Sequence, residues 1–99
     1  MLLHVTLHVR RDALDTFREF EHEAARILRK HGGELERVLV MRTPESEPHR
    51  EVHVLSFPSE DAYEAYRVSP ELAAFLPMRE RSVVKTELCK VDEGSRYRS

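Results

Sequence analysis

Six histidines fall in a chain of 99 residues, and imidazole is both a common metal ligand and the side chain that titrates nearest neutral pH. His4 and His8 share one face of an N-terminal strand, but four residues at about 3.3 Å each set them roughly 13 Å apart. Ligands that far apart cannot hold one ion at bond lengths near ~2 Å. His53, on a neighbouring strand, could approach one of them, and a mononuclear site would then need a carboxylate such as Glu51, which no spacing enforces. The preferred reading is that His4, His8 and His53 fill a semi-polar sheet face, bonding backbone or partner groups, with no metal and no cofactor. His31 ends the apolar stripe of the first helix, where a cation suits the helix C-terminus; a general base aimed into a pocket is its second reading. His22 falls on the solvated face of that helix and His49 in a hairpin, and neither is given a role.

Tyr63 and Tyr66 fall on a second helix, Phe75 on its short continuation and Arg79 just beyond. Tyrosines and an arginine converging on a helix–sheet mouth suit a small aromatic or anionic ligand. Rings at helical spacing equally make core, and an arginine is equally a solvated or paired residue; this plainer reading carries more weight. If a ligand exists, Tyr63, Tyr66 and Arg79 are its contacts, between the sheet and the second-helix region, where the break at Val68-Ser69-Pro70 makes close packing hard. No catalytic residue is assigned. The lone thiol, Cys89, excludes an internal disulfide and a cysteine-based zinc site, and reads as a small buried hydrophobe. Glu19, Glu21 and Glu23 alternate with Arg18 and His22, the pattern of a solvated, ion-paired helix face. No Gly-rich phosphate loop, serine elbow or paired-carboxylate motif is present.

Composition bounds what these residues can be part of. Charged residues are 34% and hydrophobic ones 40%, with net charge -2 and the two signs interspersed. That fits one soluble domain and argues against a nucleic-acid surface, which needs a basic patch. No apolar run reaches the ~18 residues of a membrane helix, and no signal peptide is expected before the first strand. The expectation is a cytoplasmic protein with a single domain over residues 1–91 and a loose polar tail over 92–99.

The positioning elements follow in order. Leu2 to Val9 alternate, with Leu3, Val5, Leu7 and Val9 on one face and His4, Thr6 and His8 on the other, a half-buried strand. Asp12 is expected to cap a helix whose stripe runs Leu14, Phe17, Phe20, Ala24, Ile27, Leu28, His31, and Gly32-Gly33 stops it. Leu35 to Arg42 reads as a strand and Thr43 to His49 as a hairpin loop. Val52 to Phe57 is a third strand, broken by Pro58. Ser59 caps the second helix, and Ser69-Pro70-Glu71 starts a short one. Pro77 and the run Met78-Arg79-Glu80-Arg81 are expected to end it and lead into a last strand, Ser82 to Val91.

The order β-α-β-β-α-β predicts a ferredoxin-like α+β fold: a four-stranded antiparallel sheet in order 4-1-3-2 with both helices on one face. Yet Val38-Leu39-Val40-Met41, Val54-Leu55 and Val83-Val84 are apolar on both strand faces, and such strands want both faces buried. A second copy of the chain, packed sheet to sheet over His4, Thr6 and His8, would cover the free face. The expected partner is therefore a homodimer mate, with neither nucleic acid nor membrane.

Phe57-Pro58-Ser59, Ser69-Pro70-Glu71, Pro77 and Arg79, preceded by Gly32-Gly33, resemble a family of small uncharacterised proteins of the dimeric α+β barrel superfamily, related to antibiotic-biosynthesis-monooxygenase-like proteins. The likeness is clearest over Val52 to Val91. The family tends to carry aromatic residues before the Ser-Pro pair and after the following Glu; this chain keeps Tyr66 but has Arg67 and Leu72 in the other two places. The resemblance implies a homodimer with a central barrel, and a superfamily that spans cofactor-independent monooxygenases, haem-binding enzymes and lactone isomerases. Two functions stay open: binding of a small organic molecule without turnover, or a cofactor-independent monooxygenase or isomerase acting on a small aromatic or lactone substrate. A cavity filled by Tyr63, Tyr66 and Phe75 would favour the first, and an enclosed cavity with ordered polar groups the second.

Overall fold

Strand β1 (Leu2–Val9) carries the pattern that sets the rest: Leu3, Val5, Leu7 and Val9 are each at most 7% exposed, while His4, Thr6 and His8 on the other face are half-buried. The computed structural model describes residues 1–97; of the expected 92–99 tail, Asp92 to Tyr97 form no helix or strand, and the last two residues lie outside the described residues.

After a 3-10 turn (Arg11–Ala13), helix α1 runs Leu14–Lys30 and buries Phe17, Phe20, Ala24, Ile27 and Leu28. Asp12 does not cap it. The turn places Asp12 beside Arg10, whose Nε and Nη2 each donate to the carboxylate at 3.2 Å, and α1 begins without a side-chain cap. A bidentate charged partner two residues away offers more than a lone backbone N–H. Gly32, at φ +76°, gives the left-handed turn that closes α1. At Gly33 a Cβ would stand 2.5 Å from Leu28 Cδ1 and 3.1 Å from Phe57 Cε1, so the chain passes there only without a side chain.

The remaining elements are β2 (Glu34–Val40), β3 (His49–Ser56), α2 (Glu60–Arg67), α3 (Pro70–Ala73), α4 (Leu76–Ser82) and β4 (Val83–Val91). Ser59 Oγ accepts from Ala62 N–H at 3.1 Å and Ser69 Oγ from Leu72 N–H at 3.4 Å, as N-caps should. Pro77 does not end a helix but lies in the first turn of α4, where its missing N–H costs nothing. The charged run after it is therefore helical, and Arg79 sits on α4.

The sheet is antiparallel in order β2-β3-β1-β4, the expected 4-1-3-2 read from the other edge, and the helices cover one face. Two packed clusters lie between: Leu3, Val5, Leu7, Val9, Phe17, Leu28 and Phe57, and beside them Phe20, Ala24, Ile27 and Leu72. Tyr66 touches both. The register of β2 slips between Leu35 and Arg37, which turns Val38 rather than Arg37 to the helix side, opposite His53. The other sheet face carries His4, Thr6 and His8 with Val52 and Val54 beside them, and His8 Nε2 meets Glu87 Oε1 at 2.8 Å. Cys89, paired with His4, lies exposed on this face rather than buried, because β4 is an edge strand with its helices on the opposite side. Among the described residues no helix is long and apolar enough to cross a membrane.

Candidate functional site

Strand alternation decides which histidines can act together. β3 pairs with β1 so that His53 lies opposite Val5, and Val5 is a core residue. His53 therefore points under the helices, on the face opposite His4 and His8, and cannot join them. With it on the helix side come Glu51 and His49, two and four residues back. All three are buried, at 4%, 8% and 7% exposure.

Buried polar groups must find partners, and these find one another. Glu51 Oε1 accepts from His53 Nε2 at 3.0 Å and Glu51 Oε2 accepts from His49 Nε2 at 2.7 Å. The hydrogen bond from His53 is the main cause holding the Glu51 carboxyl below its ordinary value, against the opposing effect of burial. From α1, Glu21 reaches across to His53, its Oε2 3.6 Å from Nδ1. Burial pushes the Glu21 carboxyl up, with the Glu51 charge adding to it and His53 and Arg79 opposing. Glu21 is thus a half-buried group facing the sheet, not part of a solvated face, because positions 17, 21, 24 and 28 form one stripe of α1. The two carboxyls carry opposite pH signs. Glu51 stabilises the fold above its ordinary value of 4.5, a contribution lost as pH falls through its lowered folded value. Glu21 stabilises below 4.5 and loses that as pH rises through its raised one. In urea unfolding, Glu51→Gln is expected to cost most at neutral pH and little in acid. Glu21→Gln should gain on the unmutated protein as pH rises from acid to neutral.

Glu21 and His53 form one end of a cavity of about 290 Å³ between the sheet and the helices. Its walls are mostly aliphatic, including Leu3, Val5, Leu7, Leu55 and Leu88, and its polar groups are Glu21, His53, Tyr63, Tyr66, Arg67 and Arg79. The three residues expected to contact a ligand, Tyr63, Tyr66 and Arg79, all line it. A second opening of about 210 Å³, beside Phe17, Arg18, His22 and Val38, meets the same Glu21 and His53 from the other side and also exposes Glu51.

Tyr66 is core and site at once. Its ring tilts against Phe57 at 5.7 Å and meets His31 edge-on at 6.2 Å, while Tyr63 meets Phe57 at 5.3 Å. Burial, and the nearby Glu21 charge, push the Tyr66 hydroxyl up to about 12, so it remains a neutral donor. Arg79 Nη2 donates to Thr86 Oγ1, and no carboxylate pairs with the guanidinium among the described residues. Phe75 packs into the second core cluster rather than the cavity, and His31 is the C-cap residue of α1. No three His, Cys, Asp or Glu side chains among the described residues are placed to hold one metal ion.

Sequence reasoning gave Glu21, His49 and Glu51 no role in this cavity and put His53 on the wrong face. A signal existed: Leu55 and Phe57 are inward residues, and counting back by twos from them reaches His53, Glu51 and His49.

No protein-family model matches the sequence, and no curated protein matches it. Solved structures do. An uncharacterised NIPSNAP domain protein from Burkholderia xenovorans superposes with a TM-score of 0.75 at 11% identity over 100% of both chains. An antibiotic biosynthesis monooxygenase gives 0.68 at 12% identity, covering 96% of this chain and 100% of the other. SnoaB, a cofactor-independent oxygenase from Streptomyces nogalater, gives 0.64 at 13% over 94% of each. The chain has the fold of the antibiotic-biosynthesis-monooxygenase-like proteins. At these identities the likeness to monooxygenase-like proteins is one of backbone. Arg67 and Leu72, the two places where the chain lacks the aromatics of the family it resembles, both line the cavity, so its wall chemistry is this chain's own.

Proposed function

We propose that the chain binds a small, largely apolar molecule bearing an acidic hydroxyl, a phenol or an enol, in the helix–sheet cavity, and that His53 takes the proton of that hydroxyl. One observation carries this: an apolar cavity of about 290 Å³ ends on a histidine backed by a charged carboxylate. A histidine so held can be a general base. The Tyr66 phenol and the Arg79 guanidinium would hold the anion that forms.

A second reading makes the same site an oxygenase without a cofactor, and His53 is the observation that favours it. Removing a proton from a hydroquinone raises its electron density enough to reduce dioxygen directly, so the protein need supply only a base and a dry pocket. SnoaB, which shares the fold, is a cofactor-independent oxygenase. Oxygen uptake with naphthohydroquinone, faster with the protein than in buffer, separates turnover from binding alone.

Para-nitrophenol tests the binding reading, since its phenolate is yellow. Calorimetry should show Tyr66→Phe weakening it about fivefold and Arg79→Ala tenfold or more, as expected for a neutral and a charged hydrogen bond. Unchanged affinity in both variants, with the fold intact, moves the site elsewhere.

The open sheet face would be covered by a second copy of the chain. It presents Val52, Val54 and Leu39, with Leu39 44% exposed in the protomer, and the sheet would then be buried on both sides. Light scattering at micromolar concentration is expected to give the dimer mass; a monomer would refute it.

A further inference from the structure

A base needs a bare nitrogen, and His53 has two to choose from. Nε2 lies 3.0 Å from Glu51 Oε1, and the other oxygen of Glu51 receives His49 Nε2 at 2.7 Å. An ionised carboxylate offers only lone pairs, so each imidazole must point an N–H at it. That commits the proton of neutral His53 to Nε2 and leaves Nδ1 bare, directed toward Glu21 at the cavity wall. Neither Glu51 nor His49 lines the main cavity. Whatever they do for a ligand there, they do through His53.

We propose that Glu51, supported by His49, is a positioning residue that holds His53 in the Nε2–H tautomer, so that Nδ1, on the side of Glu21, is the proton acceptor for a ligand in the cavity both residues line. The proposal rests on the reading of His53 as a base. In the step, the ligand O–H bond breaks, a new N–H bond forms at Nδ1, and the electron pair stays on the ligand oxygen. The imidazolium then stands between Glu51 on β3 and Glu21 on α1. Glu21 in turn faces Arg79 on α4 and Tyr66 on α2, with Arg18 and His22 at the second opening. A carboxylate behind a catalytic histidine serves the same end in serine hydrolases, where its amide replacement leaves the wrong tautomer.

Nitrogen-15 NMR of the unmutated protein, at a pH where the ring is neutral, should show His53 Nε2 protonated and Nδ1 bare; the opposite assignment overturns the proposal without any variant. In Glu51→Gln, whose amide donates as well as accepts, the tautomer should become mixed and para-nitrophenolate affinity should fall about tenfold or more, the scale of loss when a group that orients a histidine is removed. His49→Gln should shift both in the same direction by less, and serves if Glu51→Gln does not fold. A variant that keeps the tautomer and the affinity refutes the positioning role. If the unmutated protein has the Nε2–H tautomer yet binds no phenolate, the base reading fails and takes the positioning role with it. The wrong tautomer with phenolate bound sinks the positioning role alone.

Discussion

Replacing His53 with glutamine is expected to remove the yellow phenolate band from protein-bound para-nitrophenol. Glutamine is close in length and can still donate to Glu51, so the buried carboxylate keeps a partner and the fold should persist. What it lacks is a basic nitrogen. Neutral nitrophenol should still enter the aliphatic cavity, held by Tyr66 and Arg79, while the anion loses the imidazolium that would balance it. If the protein turns over naphthohydroquinone, the rate should fall about 10²- to 10⁴-fold, the usual worth of a positioned general base. His4→Gln is the control, since His4 lies on the other sheet face and should change neither band nor rate. A phenolate band that survives in His53→Gln transfers the base role to another group, with Glu21, the carboxyl that lines the cavity, the next candidate.

Phe17→Ala should be the most damaging single change to stability, costing about 3–5 kcal/mol. Phe17 is 1% exposed and packs in the cluster with Leu3, Val5, Leu7 and Val9. Its loss would leave a hole that α1 cannot close, since Leu28 and Gly33 already fix the far end of that helix against Phe57. A domain of this size has about 5–15 kcal/mol of stability in all, so the variant stands near its limit. The urea midpoint should fall by roughly 2 M at an m-value of about 2 kcal/mol/M. The Phe17 ring also lies 6.5 Å from the His53 ring, so the same change should loosen the histidine before the protein unfolds. A shift below about 0.5 M in midpoint would mean that the sheet, not α1, carries the core.

The two effects differ in how plainly the sequence announces them. Phe17 is visible as part of an apolar stripe at helical spacing, and period alone assigns it to the core. So are the inward residues of β1, the caps at Ser59 and Ser69, and the element order, which together lead to the antiparallel 4-1-3-2 sheet. Tyr63, Tyr66 and Arg79 were legible as a group because the break at Val68-Ser69-Pro70 sets the helical segments that carry them around one mouth. These are local facts: side-chain period and backbone chemistry over a few residues decide them.

The polar half of the cavity was decided elsewhere. Glu21 looks like its charged neighbours, and its place on the stripe of Phe17, Ala24 and Leu28 marks it only once α1 is seen to dock that stripe over His53. His53 went to the wrong face because apolar residues fall on both faces of this strand, so the mark that Leu55 and Phe57 give by twos competes with Val52 and Val54 on the other side. The pairing of Val5 with His53 supplies that mark, and pairing is a contact between residues 48 positions apart. The bulge between Leu35 and Arg37 turns Val38 inward by the same kind of non-local constraint. Composition and period determined the fold and the mouth of the site. Strand register and helix depth, which depend on how distant segments dock, determined that His53 and Glu21 meet at its end, with Glu51 behind His53.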